Sequence, residues 1–111
     1  MPTACFLAFA LLTITDTSET SKANTDSTLT DDEGVFVIEF DVTAFESDIY
    51  IDDNAYNGTS ENNTGVNFQV LVGGTATTAG TAVATLDSDA ELDGARYLVE
   101  EGATESFTLT V

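Results

Sequence analysis

Hydrophobic and polar residues alternate along most of this chain, and the alternation predicts strands. From Gly34 the sequence reads GVFVIEFDVTAF, with Phe36, Ile38, Phe40, Val42 and Ala44 at every second position and Glu39, Asp41 and Thr43 between them. A period of two sends the first set to one side of a sheet and the second set to the other, so this stretch is a half-buried strand. DIYID at 48–52 repeats the pattern on a smaller scale, with Ile49 and Ile51 set against Tyr50. GVNFQVLVGG at 65–74 predicts one strand with Val66, Phe68, Val70 and Val72 on a common face, ended by Gly73-Gly74. GTAVATLDSD at 80–89 sets Ala82, Ala84 and Leu86 against threonines. ARYLVEEGATESFTLTV predicts a strand around Tyr97 and Val99, a turn at Glu101-Gly102, and a last strand with Phe107, Leu109 and Val111 inward.

No window repeats its apolar positions at helical spacing, and threonine and valine are abundant where strong helix formers are scarce. Short strands parted by Gly, Asn and Asp turns predict an all-β fold, an antiparallel β-sandwich of about seven strands. The opening stretch is counted among them. Phe6, Ala8, Ala10, Leu12 and Ile14 would form one face of that strand and Leu7, Phe9 and Leu11 the other. Both faces are apolar, unlike those of the other predicted strands. Such a strand needs cover on both sides, and left bare at a sheet edge it invites association.

Three segments follow from this pattern: an apolar N-terminal strand at 1–15, a polar connection at 16–33 (DTSETSKANTDSTLTDDE over 16–33), and a sandwich core at 34–111. The apolar run is shorter than the roughly twenty residues a spanning helix needs. No Lys or Arg precedes Lys22, so the basic start of a secretory signal is missing. The expectation is therefore a strand that is not inserted in a membrane.

Charge narrows the partners. Two basic residues, Lys22 and Arg96, stand against twenty Asp and Glu, for a formal net charge of −18 across 111 residues. Phosphate backbones and anionic headgroups are repelled by such a surface, so nucleic acid is not an expected partner. Acidity of this order also accompanies disorder, but 42% of the residues are hydrophobic and they are patterned, which favours a packed domain.

Chemistry is sparse. There is no histidine, so neither a Ser-His-Asp relay nor imidazole metal ligation can be built, and the single Cys5 has no disulfide partner. Without Trp there is also no indole to stack a sugar, and no enzymatic activity is expected. One metal spacing stands out. DAELDGARYLVE, from Asp89 to Glu100, places Asp89, Glu91 and Asp93 at positions one, three and five, Gly94 at six and Glu100 at twelve of a calcium loop. Glu91 is longer than the usual third ligand and Arg96 sits at position eight, so the same residues also read as a turn between two strands. Ca2+ at these four carboxylates and N-glycosylation at the sequons of Asn57 and Asn62 are the two chemical candidates.

The strand VFVIEFDVTAF and the hairpin YLVEEGATESFTLTV together resemble the immunoglobulin-like β-sandwich modules of prokaryotic cell-surface proteins, and the doubly apolar N-terminus resembles the donor strand of polymerising pilus subunits. The cysteine pair and tryptophan of antibody-type domains are absent. The resemblance implies an extracellular, cell-surface structural protein and carries no catalytic residues. It joins with the pattern in one expectation: a subunit that assembles head-to-tail with copies of itself through Phe6, Leu7, Phe9, Leu11, Leu12 and Ile14. The alternative is a monomeric adhesion or spacer module of a larger surface protein, stabilised by calcium.

Overall fold

The computed structural model describes residues 10–22, 33–58, 65–76 and 82–111. Eleven strands occur among them: β1 (Ala10–Lys22), β2 (Glu33–Ala44), β3 (Ile49–Asp52), β4 (Ala55–Asn57), β5 (Val66–Phe68), β6 (Leu71–Val72), β7 (Thr75–Ala76), β8 (Thr85–Ser88), β9 (Glu91–Asp93), β10 (Arg96–Val99) and β11 (Thr104–Thr110). The described residues form an all-β fold of mainly antiparallel sheets, as the alternation predicts.

Two sheets make the body. One has the order β1-β2-β11-β8 and the other β3-β10-β9. Every pairing within these two sheets is antiparallel. The core is the set of side chains that period two turns inward: Phe40, Val42 and Ala44 from β2, Leu86 from β8, Tyr97 and Val99 from β10, and Phe107 and Leu109 from β11, with Ala90 closing one side. Phe40 lies opposite Phe107 in the ladder, and their rings stack with centroids 5.4 Å apart. Tyr97 meets Phe107 edge-on from the second sheet at 5.6 Å. Its hydroxyl donates to the Leu86 carbonyl at 3.2 Å, so the one polar atom this ring carries into the core has a partner.

The outer face of the first sheet is built by the intervening residues. Thr43 Oγ1 and Thr104 Oγ1 lie 2.7 Å apart, and Ser106 Oγ donates to Asp41 Oδ1 at 2.7 Å. Short hydroxyl and carboxylate side chains thus pair across strands and leave the remaining charge in water. The chain passes from β10 in one sheet to β11 in the other through Glu100–Ala103, closed by the Ala103 N–H donating to the Glu100 carbonyl at 2.9 Å. Gly102 has φ +80°, the positive value that the third residue of a type II turn requires.

Four expectations are corrected. The strand count rises from about seven to eleven because short pieces pair locally. The expected single strand at 65–74 is split: β5 pairs in parallel with β4 for three residues, whereas β6 turns back at Gly73-Gly74 onto β7. Positive φ at both of those glycines makes the tight turn, which takes Leu71 and Val72 into a hairpin of their own. β4 arises inside the stretch read as a loop at 52–64. Finally, β1 continues through the proposed boundary at Thr15 as far as Lys22, so residues 16–22 are strand rather than connection. Threonine and serine fit a pleated strand with both faces in water, and hydrophobic patterning alone cannot detect that.

Close approach fixes one glycine. A Cβ on Gly65 would stand 2.5 Å from the Asn54 carbonyl oxygen and 3.1 Å from Asp52 Cβ. Gly65→Ala is expected to cost about 1–3 kcal/mol through overpacking, read as a lower urea midpoint at unchanged slope.

Candidate assembly surface

The surface begins with the register of β1. Ala10, Leu12 and Ile14 lie opposite Ala44, Val42 and Phe40, so they share the core-facing side of the sheet. Leu11 and Thr13 lie opposite Thr43 and Asp41 on the outer side. Between Ile14 and Asp16 the register shifts, leaving Thr15 as an extra residue in a β-bulge.

Sharing the core face does not bury these side chains. Leu12 is 58% and Ile14 60% exposed, against 4% for each of their neighbours Val42 and Phe40. Leu11, on the other face, is 53% exposed. The difference is one of cover: β1 is the edge strand, and the second sheet reaches over β2 and β11 but leaves the strand beside them bare. Among the described residues β1 is hydrogen-bonded to β2 alone. The stretch Ala10–Ile14 therefore combines a backbone edge that no other described strand pairs with, apolar side chains on both faces and no charge.

Of the six residues expected to carry assembly, Leu11, Leu12 and Ile14 come together here, and Phe6, Leu7 and Phe9 lie outside the described residues. At the far end of the same sheet's core face, Phe36, Ile38, Phe68, Val70, Leu71 and Val111 line a shallow apolar groove of about 270 Å³. Phe36 is 47% and Leu71 56% exposed there.

The other candidates are placed as follows. Glu91 and Asp93 are on β9, Asp89 precedes it and Glu100 follows β10. β9 and β10 form a hairpin in which Asp93 pairs with Arg96 around Gly94-Ala95, with Gly94 at φ +67°. The twelve-residue stretch is thus two paired strands and a tight turn, and a calcium loop needs those residues curled round one point. Among the described residues no group of three or more Asp, Glu, Cys or His side chains could hold a metal ion. The turn between two strands that the same residues also predict is the one present, with Gly94 at the first position of its two-residue loop. Asn57 is exposed on β4; Asn62 lies outside the described residues.

Two further polar contacts tie the second sheet's rim. The Arg96 guanidinium lies 4.3 Å from the centre of the Tyr50 ring, and Tyr56 donates to Asp52 Oδ2 at 3.2 Å. Desolvation, and then the negative charge of Asp52, raise the Tyr56 phenol above its ordinary pKa. Neither contact assembles a nucleophile with a base. Among the described residues no helix is long and apolar enough to cross a membrane. Compared with protein-family models, with curated proteins and with solved structures, the chain matches none of them.

Proposed function

We propose that this chain is a self-assembling extracellular structural subunit, filament- or pilus-like, with an immunoglobulin-like sandwich as its body and its apolar N-terminal strand as the contact to the next copy. The observation that carries the reading is the exposure of Leu11, Leu12 and Ile14 on both faces of an edge strand. Apolar surface of that kind gains by leaving water, and a free edge gains main-chain hydrogen bonds at the same moment. Residues 10–14 are already bonded to their own β2, so they pack onto a neighbour through their outer edge and bare faces. A net charge of −18 keeps the remaining surface solvated and resists lateral clumping. Catalysis forms no part of this reading, and neither does nucleic acid.

A second reading is favoured by one specific observation. β1 pairs with β2 from Ala10 to Lys22 apart from the bulge at Thr15, as the first strand of a self-contained sandwich would. On that reading the chain is a monomeric immunoglobulin-like adhesion or spacer module of a surface protein.

Electron microscopy of the full-length chain beside a form lacking residues 1–15 separates the two, with circular dichroism on both. Filaments from the full-length chain, and dispersed β-rich particles from the shortened one, are the expected result. Dispersed particles from both would leave the monomeric module standing. Because carboxylates repel across any contact, filament yield is also expected to rise between roughly 0.01 and 0.15 M salt, as the screening length falls from about 30 Å to about 8 Å.

A further inference from the structure

We infer that the two edges of the four-stranded sheet are the two halves of one contact: β1 of one copy pairs antiparallel with β8 of the next, with Leu12 opposite Leu86. The inference rests on the assembly reading above and names the acceptor surface that reading leaves open.

Strand direction is the first argument. β1, β2, β11 and β8 are each antiparallel to the next in the sheet, so β1 and β8 run in opposite directions. A second copy moved sideways across the sheet, without being turned over, brings its β1 alongside β8 in the antiparallel sense. An odd number of strands would have made that contact parallel. Each copy then uses two different edges, so the contact is heterologous and leaves one edge free at either end. Sheet twist rotates each copy relative to the last, which makes the product a helical ribbon.

Register is the second. Leu86 lies opposite Leu109 and Leu12 opposite Val42, so both belong to the core side of the sheet. Pairing them sets Ala84 against Ile14 and Ser88 against Ala10 on that side, with Thr85 against Thr13 and Asp87 against Leu11 on the other. The uncharged stretch 10–14 is thereby matched, residue for residue, to 84–88, whose one carboxylate faces a leucine. Leu12 and Ile14, bare in the isolated chain, would extend an apolar floor that begins at Leu86, itself 4% exposed. Among the described residues β8 is hydrogen-bonded within its sheet to β11 alone.

The test uses the full-length chain with Cys5→Ser, so that added cysteines are the only thiols. Thr13→Cys combined with Thr85→Cys, joined by copper-catalysed oxidation or a short bis-maleimide, is expected to give a ladder of dimers, trimers and higher species on a non-reducing gel. Each single variant is expected to stay monomeric. A dimer from Thr13→Cys alone would mean that β1 pairs with a second β1 about a two-fold axis, and would overturn the assignment to β8. Filaments of the unlinked double variant that give no ladder would overturn this inference and leave the proposed function intact, whereas dispersed particles would overturn both. A charge pair supplies a second arm that does not depend on thiol geometry. Thr85→Asp is expected to weaken assembly at least tenfold and Thr13→Lys to restore it when added. Failure of that rescue in a folded double variant would likewise overturn the pairing.

Discussion

Phe107→Ala is expected to unfold most of the domain's cooperative structure. Phe107 is 1% exposed, stacked on Phe40 within its own sheet and met edge-on by Tyr97 from the other, so it is a central contact between the two sheets. Removing a ring from such a place costs about 3–5 kcal/mol, the lost transfer energy plus the cavity left behind. A domain has only about 5–15 kcal/mol in all, and the buried core here is a small set of nine residues among those described. The melting temperature should fall by about 10–20 °C or the cooperative transition should vanish. Phe107→Leu keeps the apolar contact and much of the volume, and should lose about 1–2 kcal/mol. Equal and small effects of the two variants would mean that the sheets are held together elsewhere.

Leu12→Asp combined with Ile14→Asp is expected to do the reverse: leave the fold standing and abolish assembly. These side chains are 58% and 60% exposed in the isolated chain, so carboxylates there lose little packing. In an assembled contact each would have become buried, and completing that burial for an aliphatic side chain is worth about 1 kcal/mol or more. Two such losses, with added like-charge repulsion on a strongly acidic surface, weaken the contact by at least about a hundredfold. Sedimentation velocity of wild type and variant at equal concentration, beside their thermal melts, reads both quantities. Assembly that survives the double substitution would sink the proposal that β1 carries it. A variant that fails to melt cooperatively would show that these residues stabilise the isolated fold, against their exposure.

The core was legible in the sequence because period two and burial agree there. Phe40, Val42 and Ala44, then Phe107 and Leu109, fall on the inward face at the positions their alternation predicts. The stretches that misled are those where hydrophobicity is not the deciding term. Residues 16–22 carry no apolar side chain to mark a face, yet they continue β1 because backbone pairing with β2 needs none. Val66 to Val70 alternates and Leu71 breaks the pattern, where paired glycines at 73–74 turn Leu71 and Val72 back into a short hairpin. At Asp89 to Glu100 the spacing of acids fits two readings, a metal loop and a turn between strands, and the backbone follows the second through Gly94-Ala95. The candidate assembly surface was half legible. Its apolar character on both faces could be read directly; which strand it pairs with, and which edge it leaves free, depends on contacts between residues far apart in the chain.

The extra residue at Thr15 works as a phase shifter. Ahead of it the even-numbered residues point to the core side; beyond it the odd-numbered ones do, with Thr17 opposite Ile38 and Glu19 opposite Phe36. Both halves of β1 stay in phase with β2, and the bulge takes up the one residue by which β1 is longer. Absorbing that residue into a regular ladder, instead of a bulge, would force one half to turn over, presenting Leu11 where Leu12 and Ile14 now lie or moving Asp16 to the core side, whereas deleting it would let Ile14 and Asp16 follow one another opposite Phe40 and Glu39 with every face kept. The bulge in this way lets β1 carry one residue more than its partner strand spans without reversing the face that either half offers to a neighbour.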